Sequence, residues 1–250
     1  MIRIILFGCN GYMGRVVTAM VNDDPNITIT AGVDINTTKL SDYPVYAKPN
    51  EITESADVII DFSNPSALDG LLSCGMSKKI PVILCATGYS DAELTEIKNI
   101  SKTLPMFRSG NMSLGINLLA DLIKRACTVL GEDFDIEIVE RHHRRKLDAP
   151  SGTALLLADA AAEVLPYNPQ YIYERESKSK PRDKNEIGIS AVRGGTIIGV
   201  HDVIFAGQDE VIELRHTAAS RDVFAAGAIK AAKFIIGKKP GMYSMKDVLG

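Results

Sequence analysis

The chain has 250 residues, 46% hydrophobic and 24% charged, which suits one large or two modest domains with a sizeable buried core. Its 28 Lys and Arg against 31 Asp and Glu leave a net charge of −3, and it has no Trp and only 6% aromatics, which argues against nucleic-acid or anionic-membrane binding. The four cysteines, Cys9, Cys74, Cys85 and Cys127, form no C-x-x-C pair, so neither a disulfide framework nor a metal cluster is expected and a reducing cytoplasm is.

The N-terminal apolar run Ile4–Phe7 is too short for a signal segment, no apolar run is long enough to span a membrane, and Ile2–Phe7 reads as a strand. Tyr12–Val21 has helical spacing, with Met13, Val16, Val17 and Met20 on one face. Strands are expected at Ile27–Asp34, Val58–Phe62, Val82–Leu84 and Leu104–Arg108, and helices at Pro65–Gly75 and Asp91–Ser101, the latter opened by a Ser90/Glu93 capping box. This alternation implies an α/β Rossmann-type domain on a parallel sheet.

The second half changes character. Leu114–Leu130 is a long helix candidate, and Phe134–Glu140 alternates as a half-exposed strand would. Ser151–Leu165 is an Ala-rich helix capped by Ser151. Glu174–Glu186 lacks an apolar face and reads as a mobile loop. Strand runs at Ile187–Arg193, Thr196–Ala206 and Glu210–Thr217 are separated by turns at Gly194-Gly195 and Gly207-Gln208-Asp209, and a last helix covers Val223–Ile236. An α+β domain with a mainly antiparallel or mixed sheet follows, giving a division into residues 1–112 with 221–250, and residues 113–220.

Two segments carry chemistry. Ile2–Phe7 runs into Gly8-Cys9-Asn10-Gly11-Tyr12-Met13-Gly14 and then a helix, the setting in which glycines and free N–H groups accept a pyrophosphate. Asp34, at the end of the second strand, suits ribose hydroxyls and repels a 2′-phosphate, so NADH is favoured, with Lys39 and Lys48 leaving NADPH open. The other segment is Glu140–Leu155, ERHHRRKLDAPSGTAL. Here a helix tip at Gly152 and Thr153 offers an anion seat, Lys146 and the arginines offer cations, and His142 or His143 offers a proton source near neutral pH. Such a set suits reduction of a small dicarboxylate. Adjacent strand residues point to opposite faces, so at most one of the two histidines faces a given pocket if the strand continues through both, and Arg141, Arg144 and Arg145 read as surface or ion-pair residues.

The run E-x-H-H-x-x-K-x-D-A-P-S-G-T-A, Glu140 to Ala154, resembles the signature of the 4-hydroxy-tetrahydrodipicolinate (dihydrodipicolinate) reductase family of lysine and diaminopimelate biosynthesis. Similarity extends through Asp61-Phe62-Ser63, Thr87-Gly88-Tyr89, Asn111–Gly115, Arg193-Gly194-Gly195, Gly199–Phe205 and Gly241–Leu249. The resemblance implies His142 as the proton donor or acceptor and Lys146 as its proton-donating partner. It implies substrate binding by His143, Gly152 and Thr153. For the cofactor it implies Gly8, Cys9, Asn10, Gly11, Tyr12, Met13 and Asp34, together with Cys85, Ala86 and Thr87 and with Ser109, Gly110, Asn111 and Met112 near the nicotinamide. Cys85-Ala86 stands where the family usually has Gly-Thr, so only backbone contacts carry over there. The resemblance further implies a C-terminal helix packed on the cofactor domain, a homotetramer built through the second domain's sheet, and domain closure that brings hydride donor and substrate together. Three rivals weigh less. A non-catalytic NAD-binding regulator would not need His142 and Lys146, a nucleic-acid binder conflicts with the charge, and a dehydrogenase of aspartate or homoserine type lacks the H-H-x-x-K with S-G-T segment.

Overall fold

Parallel strands ending at one sheet edge organise the first part of the chain. The computed structural model describes residues 1–250, with the side chain of Lys178 outside the described set. In chain order the elements are β1 (Ile2–Phe7), α1 (Tyr12–Asn22), β2 (Ile27–Val33), β3 (Val45–Tyr46), β4 (Val58–Asp61), α2 (Leu68–Lys78), β5 (Val82–Leu84), α3 (Asp91–Ile100) and β6 (Pro105–Arg108). They continue with α4 (Leu114–Leu130), β7 (Asp135–His142), α5 (Gly152–Ala162), β8 (Gln170–Ile172), β9 (Glu186–Arg193), β10 (Gly199–Ala206) and β11 (Val211–Ala218). The last are α6 (Asp222–Ile235), β12 (Gly241–Tyr243) and α7 (Met245–Leu249). Two units result, Met1–Ser113 with Asp222–Gly250, and Leu114–Arg221.

Unit one holds a seven-stranded sheet in the order β12-β6-β5-β4-β1-β2-β3, every pair parallel. Ile4–Phe7, Val58–Ile60 and Val82–Leu84 are buried on both faces, which is why their sequences are continuous apolar runs and not alternating ones. The chain steps from β1 to β2 on one side and to β4 on the other, so a crevice opens beyond the carboxyl ends of these strands. The two outermost strands, β3 and β12, are two and three residues long and too short to leave a periodic signal. The expected helix at Pro65–Gly75 opens as a 3-10 turn at Pro65–Ala67, where Asn64 caps Ser66, and becomes α-helical only from Leu68. The buried face of α1 is Gly14, Val17, Thr18 and Val21, rotated from the expected one. Gly14 seats against the backbone of Gly8 and Cys9, which turns that face to the sheet and leaves Met13, Val16 and Met20 half-buried. α6 packs against α1 and beside β4, β5 and β6.

Unit two holds a five-stranded sheet in the order β11-β10-β7-β9-β8. β10 is antiparallel to β7 and β11, while β9 is parallel to β7 and β8, so the sheet is mixed. β7 lies between β9 and β10, so Gly194-Gly195 is not a hairpin turn; it begins a crossing past the end of β7, and only Gly207–Asp209 closes a hairpin. Glu174–Glu186 is likewise not a free loop. Arg175 reaches Glu186 (2.6 Å) and Glu137, and Arg182 reaches Asp135 (2.7 Å) and Glu137 (3.1 Å), so the segment is tied across β7 and β9. Its charges lack an apolar partner because their partners are acids on the outer face of the sheet.

The inner face of that sheet reads in rows. Phe205, Ile136 and Ile187 form the first and Val203, Ile138 and Ile189 the second, both covered by α4 and α5. The third row is His201, Glu140 and Ala191, and the fourth is Gly199, His142 and Arg193. One face therefore turns from apolar to ionisable within a single strand.

His201 is 4% exposed; its Nε2 shares a hydrogen bond of 3.1 Å with Ser151 Oγ, and its ring meets that of His142 edge-on at 5.2 Å. Burial, reinforced by the neighbouring His142, pushes its pKa down to about 4. Between that value and the ordinary 6.5 the unfolded chain binds a proton that the folded chain refuses, so stability is complete above the upper value and is lost as pH falls toward the lower. The full contribution is about 3 kcal/mol. We expect His201→Gln, whose amide can still meet Ser151, to shrink the loss of unfolding free energy between neutral pH and the low end of that window by about 2 kcal/mol in denaturant titrations. An unchanged acid slope would remove His201 as its source.

Candidate active site

Unit one presents its site where β1 meets α1. Gly8 has φ +71°, and a Cβ there would stand 2.6 Å from the Phe62 carbonyl oxygen; at Gly14 a Cβ would stand 2.1 Å from the Gly8 oxygen. Glycine is needed at both, one for the left-handed turn and one for the close approach. No side chain caps α1, unlike α3 with its Ser90/Glu93 box, so the first turn of α1 keeps its capacity to bind an anion. Beside it lies a cleft of about 490 Å³ whose lining includes Gly8, Gly11, Asp34, Ile35, Phe62 and Ser63.

The structure gathers Gly8, Gly11 and Asp34 on that cleft and sorts the rest of the expected cofactor set. Cys9 is buried with its side chain turned toward Gly32, which leaves only its backbone for a ligand. The Asp34 carboxylate accepts the Asn10 N–H (2.9 Å) and the Asn36 N–H (2.9 Å), and the Asn10 amide donates to the carbonyls of Asn36 and Thr38. Tyr12 and Met13 open α1, Tyr12 being exposed. Cys85, Ala86 and Thr87 follow β5, and Ser109, Gly110, Asn111 and Met112 follow β6, at the carboxyl edge of the sheet but outside the lining of that cleft. Beside the end of β5 sits Asp61, fully buried at the end of β4, with its carboxylate accepting from Ser63 N–H (2.9 Å), the Ser63 hydroxyl and the Tyr89 hydroxyl (3.3 Å). Burial raises the Asp61 carboxyl against these hydrogen bonds.

Unit two builds its site from the two polar rows. Glu140 is 0% exposed. One oxygen accepts Arg193 Nη2 (2.7 Å) and the Ser151 N–H (3.0 Å), and the other meets Arg193 Nη1 (2.8 Å) and His142 Nδ1 (2.6 Å). Burial acts to raise the Glu140 carboxyl, but the hydrogen bonds from Arg193, His142 and Ser151 outweigh it and hold it below its usual range. Glu140 is therefore ionised at neutral pH. An ionised carboxylate only accepts, so Nδ1 of His142 carries the hydrogen and Nε2 the lone pair. Burial depresses the His142 pKa, Glu140 partly opposes this, and the charges of Lys146 and Arg193 add to the depression, so the imidazole is neutral at pH 7. Gly199 gives the ring room, since a Cβ there would lie 3.2 Å from Nε2.

Around this pair stand the other expected residues. His143 follows the end of β7, half-buried, with its Nδ1 buried and unpartnered among the described residues. Lys146 closes a turn on the His143 carbonyl (3.1 Å) and pairs with Asp148 at 2.8 Å. Ser151 caps α5 by accepting the Ala154 N–H, which puts Gly152 and Thr153 in the first helical turn, and open space surrounds the Gly152 α-carbon. Arg141 points to the opposite face and pairs with Asp202, which Arg215 also holds. Sequence reasoning gave no role to Glu140, Arg193, His201 or Asp61. For Glu140 a signal existed: Ile136 and Ile138 set the inward phase of β7, and Glu140 and His142 continue it. No group of residues able to hold a metal ion occurs among the described residues, nor any helix long and apolar enough to cross a membrane.

Comparison with known proteins places this geometry. Residues 2–112 match the family model described as dihydrodipicolinate reductase, N-terminus, and residues 115–249 the one described as dihydrodipicolinate reductase, C-terminus. A 4-hydroxy-tetrahydrodipicolinate reductase of Caldanaerobacter subterraneus is 55% identical over 249 residues, covering 100% of this chain and 98% of that one. Its counterpart in Clostridium tetani is 52% identical over 249 residues, covering 100% and 97%. Among solved structures, a dipicolinate-bound dihydrodipicolinate reductase from Paenisporosarcina sp. TG-14 superposes with a TM-score of 0.81 at 24% identity, covering 99% of this chain and 98% of that one. The chain belongs to the dihydrodipicolinate reductase family.

Proposed function

We propose that the chain reduces 4-hydroxy-tetrahydrodipicolinate, with loss of water, to tetrahydrodipicolinate at the expense of NADH, in lysine and diaminopimelate biosynthesis. The observation that carries this reading is the buried Glu140–His142 pair beside the N-terminus of α5, in a chain that matches the reductases from end to end.

The residues of unit one fit a dinucleotide: two glycines stand where a Cβ would strike backbone, α1 starts uncapped, and Asp34 closes β2. When bound, the reduced nicotinamide supplies the hydride. Gly8–Met13 hold the pyrophosphate through backbone N–H groups, and Asp34 takes the ribose hydroxyls. Backbone at Cys85–Thr87 and Ser109–Met112 lines the nicotinamide end. NADH is preferred over NADPH because a 2′-phosphate beside the Asp34 carboxylate is repelled, and its neighbour Ile35, fully exposed, offers no cation.

In unit two the substrate's carboxylate sits on the Gly152 N–H and on Thr153, at the positive end of α5. His143 supplies a further polar contact through a ring whose Nδ1 has no partner among the described residues. His142 handles the proton at Nε2. It is neutral before substrate arrives, and the negative charge of a dicarboxylate raises its affinity for a proton, which readies it as a donor. Lys146, drawn from Asp148 toward the anion, is its proton-donating partner. The assembled enzyme is a homotetramer joined through the sheet of unit two and works in the cytoplasm, where its four free cysteines stay reduced.

Purified protein is expected to oxidise NADH only when supplied with the condensation product of pyruvate and aspartate semialdehyde; no turnover with either cofactor would reject the assignment. His142→Ala and Lys146→Ala should each lower kcat by about 100-fold or more while NADH binding, followed by fluorescence, is kept. Near-normal rates in both would reject their roles. Asp34→Asn should cut the NADH over NADPH preference in kcat/KM by about tenfold, the equivalent of roughly 1.4 kcal/mol of lost repulsion.

A further inference from the structure

We infer that Glu140 is a positioning residue: it fixes the tautomer and orientation of His142 and locks that ring in register with the anion-binding end of α5. The inference deepens the proposed reaction and rests on the reading of His142 as the group that moves the proton.

Four contacts converge on this one carboxylate. His142 Nδ1 lies 2.6 Å from one oxygen, and the Arg193 guanidinium spans both oxygens at 2.7 and 2.8 Å. The Ser151 N–H, 3.0 Å away, is the backbone donor of the residue that caps α5. His142 and Glu140 lie two apart on β7, so the imidazole and the carboxylate share a face. Arg193 stands opposite His142 on β9 and also donates to the Asp148 carbonyl, in the stretch between Lys146 and α5. One group therefore joins the ring, the strand beside it and the helix tip. A carboxylate can only accept, and this forces the hydrogen onto Nδ1 and leaves Nε2 as the atom that exchanges a proton. The groups facing the ring from neighbouring elements are Arg193 on β9, His201 on β10, and Lys146 in the following turn. None of these is an acid; the negative group bonded to Nδ1 is Glu140, on the strand of His142 itself.

Exchange for an amide makes a specific prediction. In Glu140→Gln one oxygen remains for Arg193 and Ser151, so the NH2 group falls toward His142. The ring then accepts at Nδ1 and carries its hydrogen on Nε2, the wrong atom for uptake of a proton. We expect E140Q to keep NADH and dipicolinate affinities within about threefold, to lose about 100-fold or more in kcat, and to move the His142 limb of the pH–rate profile to lower pH. Nitrogen-15 NMR of histidine-labelled protein, assigned with His142→Asn, should show the Nδ1–H tautomer in the native chain and Nε2–H in E140Q. A native Nε2–H tautomer overturns the inference, and that measurement does not depend on the variant folding. If H142A is inactive and E140Q keeps a near-native rate or the native tautomer, the inference fails and the reading of His142 stands. If H142A itself turns over normally, that reading fails and the inference falls with it.

Discussion

Glu140 sets the terms for unit two. A carboxylate with no solvent contact is tolerated only when its lone pairs are filled, and removing a single partner from such a buried pair typically costs about 3–5 kcal/mol. Here the partners come from three places: Arg193 on β9, His142 two residues along the same strand, and the backbone of Ser151 where α5 begins. Strand pairing, helix placement and the state of the imidazole thus answer to one charge. The arrangement also explains why the helix cap is a serine: its hydroxyl accepts the Ala154 N–H while sharing a bond with His201, and its N–H serves Glu140.

Both units place polar groups at the ends of apolar strands. In unit one β4 is buried throughout and ends in Asp61, satisfied by Ser63 and Tyr89. In unit two β7 carries Ile136 and Ile138 and then Glu140 and His142. The apolar part anchors the strand through packing, and the last residues inherit that rigidity. A side chain held this way keeps its geometry without the entropy loss that ordering a loop residue would demand.

Much of this was legible in the sequence, and for identifiable reasons. The Rossmann-type sheet could be read because β1, β4 and β5 are continuous apolar runs between helical patterns, and the glycine turn because Gly8 and Gly14 each answer a steric demand. The second sheet was legible as strands but not as an order. Residues alone do not show that β9 pairs with β7 in parallel and that the chain then crosses β7 to reach β10, so Gly194-Gly195 looked like a hairpin turn. Glu174–Glu186 looked loose because its partners, Asp135 and Glu137, lie about forty residues earlier and are invisible to any local pattern. His201 and Arg193 were hidden for the same reason: each gains its place only from strand register, 61 and 53 residues from Glu140.

Register also resolves the run of cations that marks the segment from Arg141 to Lys146. Read as composition it is one basic patch; read through the pleat it is several things. Arg141 points outward and is spent on Asp202, which Arg215 shares, so its charge belongs to the outer face of the sheet. His142, the very next residue, points inward, is buried, and is held neutral by that burial. The strand ends there, Arg144 and Arg145 stay exposed, and the turn brings Lys146 back to the electrostatic surroundings of His142 while it pairs with Asp148. In the proposed reaction a dicarboxylate arriving at the α5 tip meets the positive end of a helix dipole, the Lys146 ammonium and the His142 imidazole. On that proposal, burial together with the charges of Lys146 and Arg193 keeps the ring neutral until the anion arrives, and the anion's charge restores its affinity for a proton.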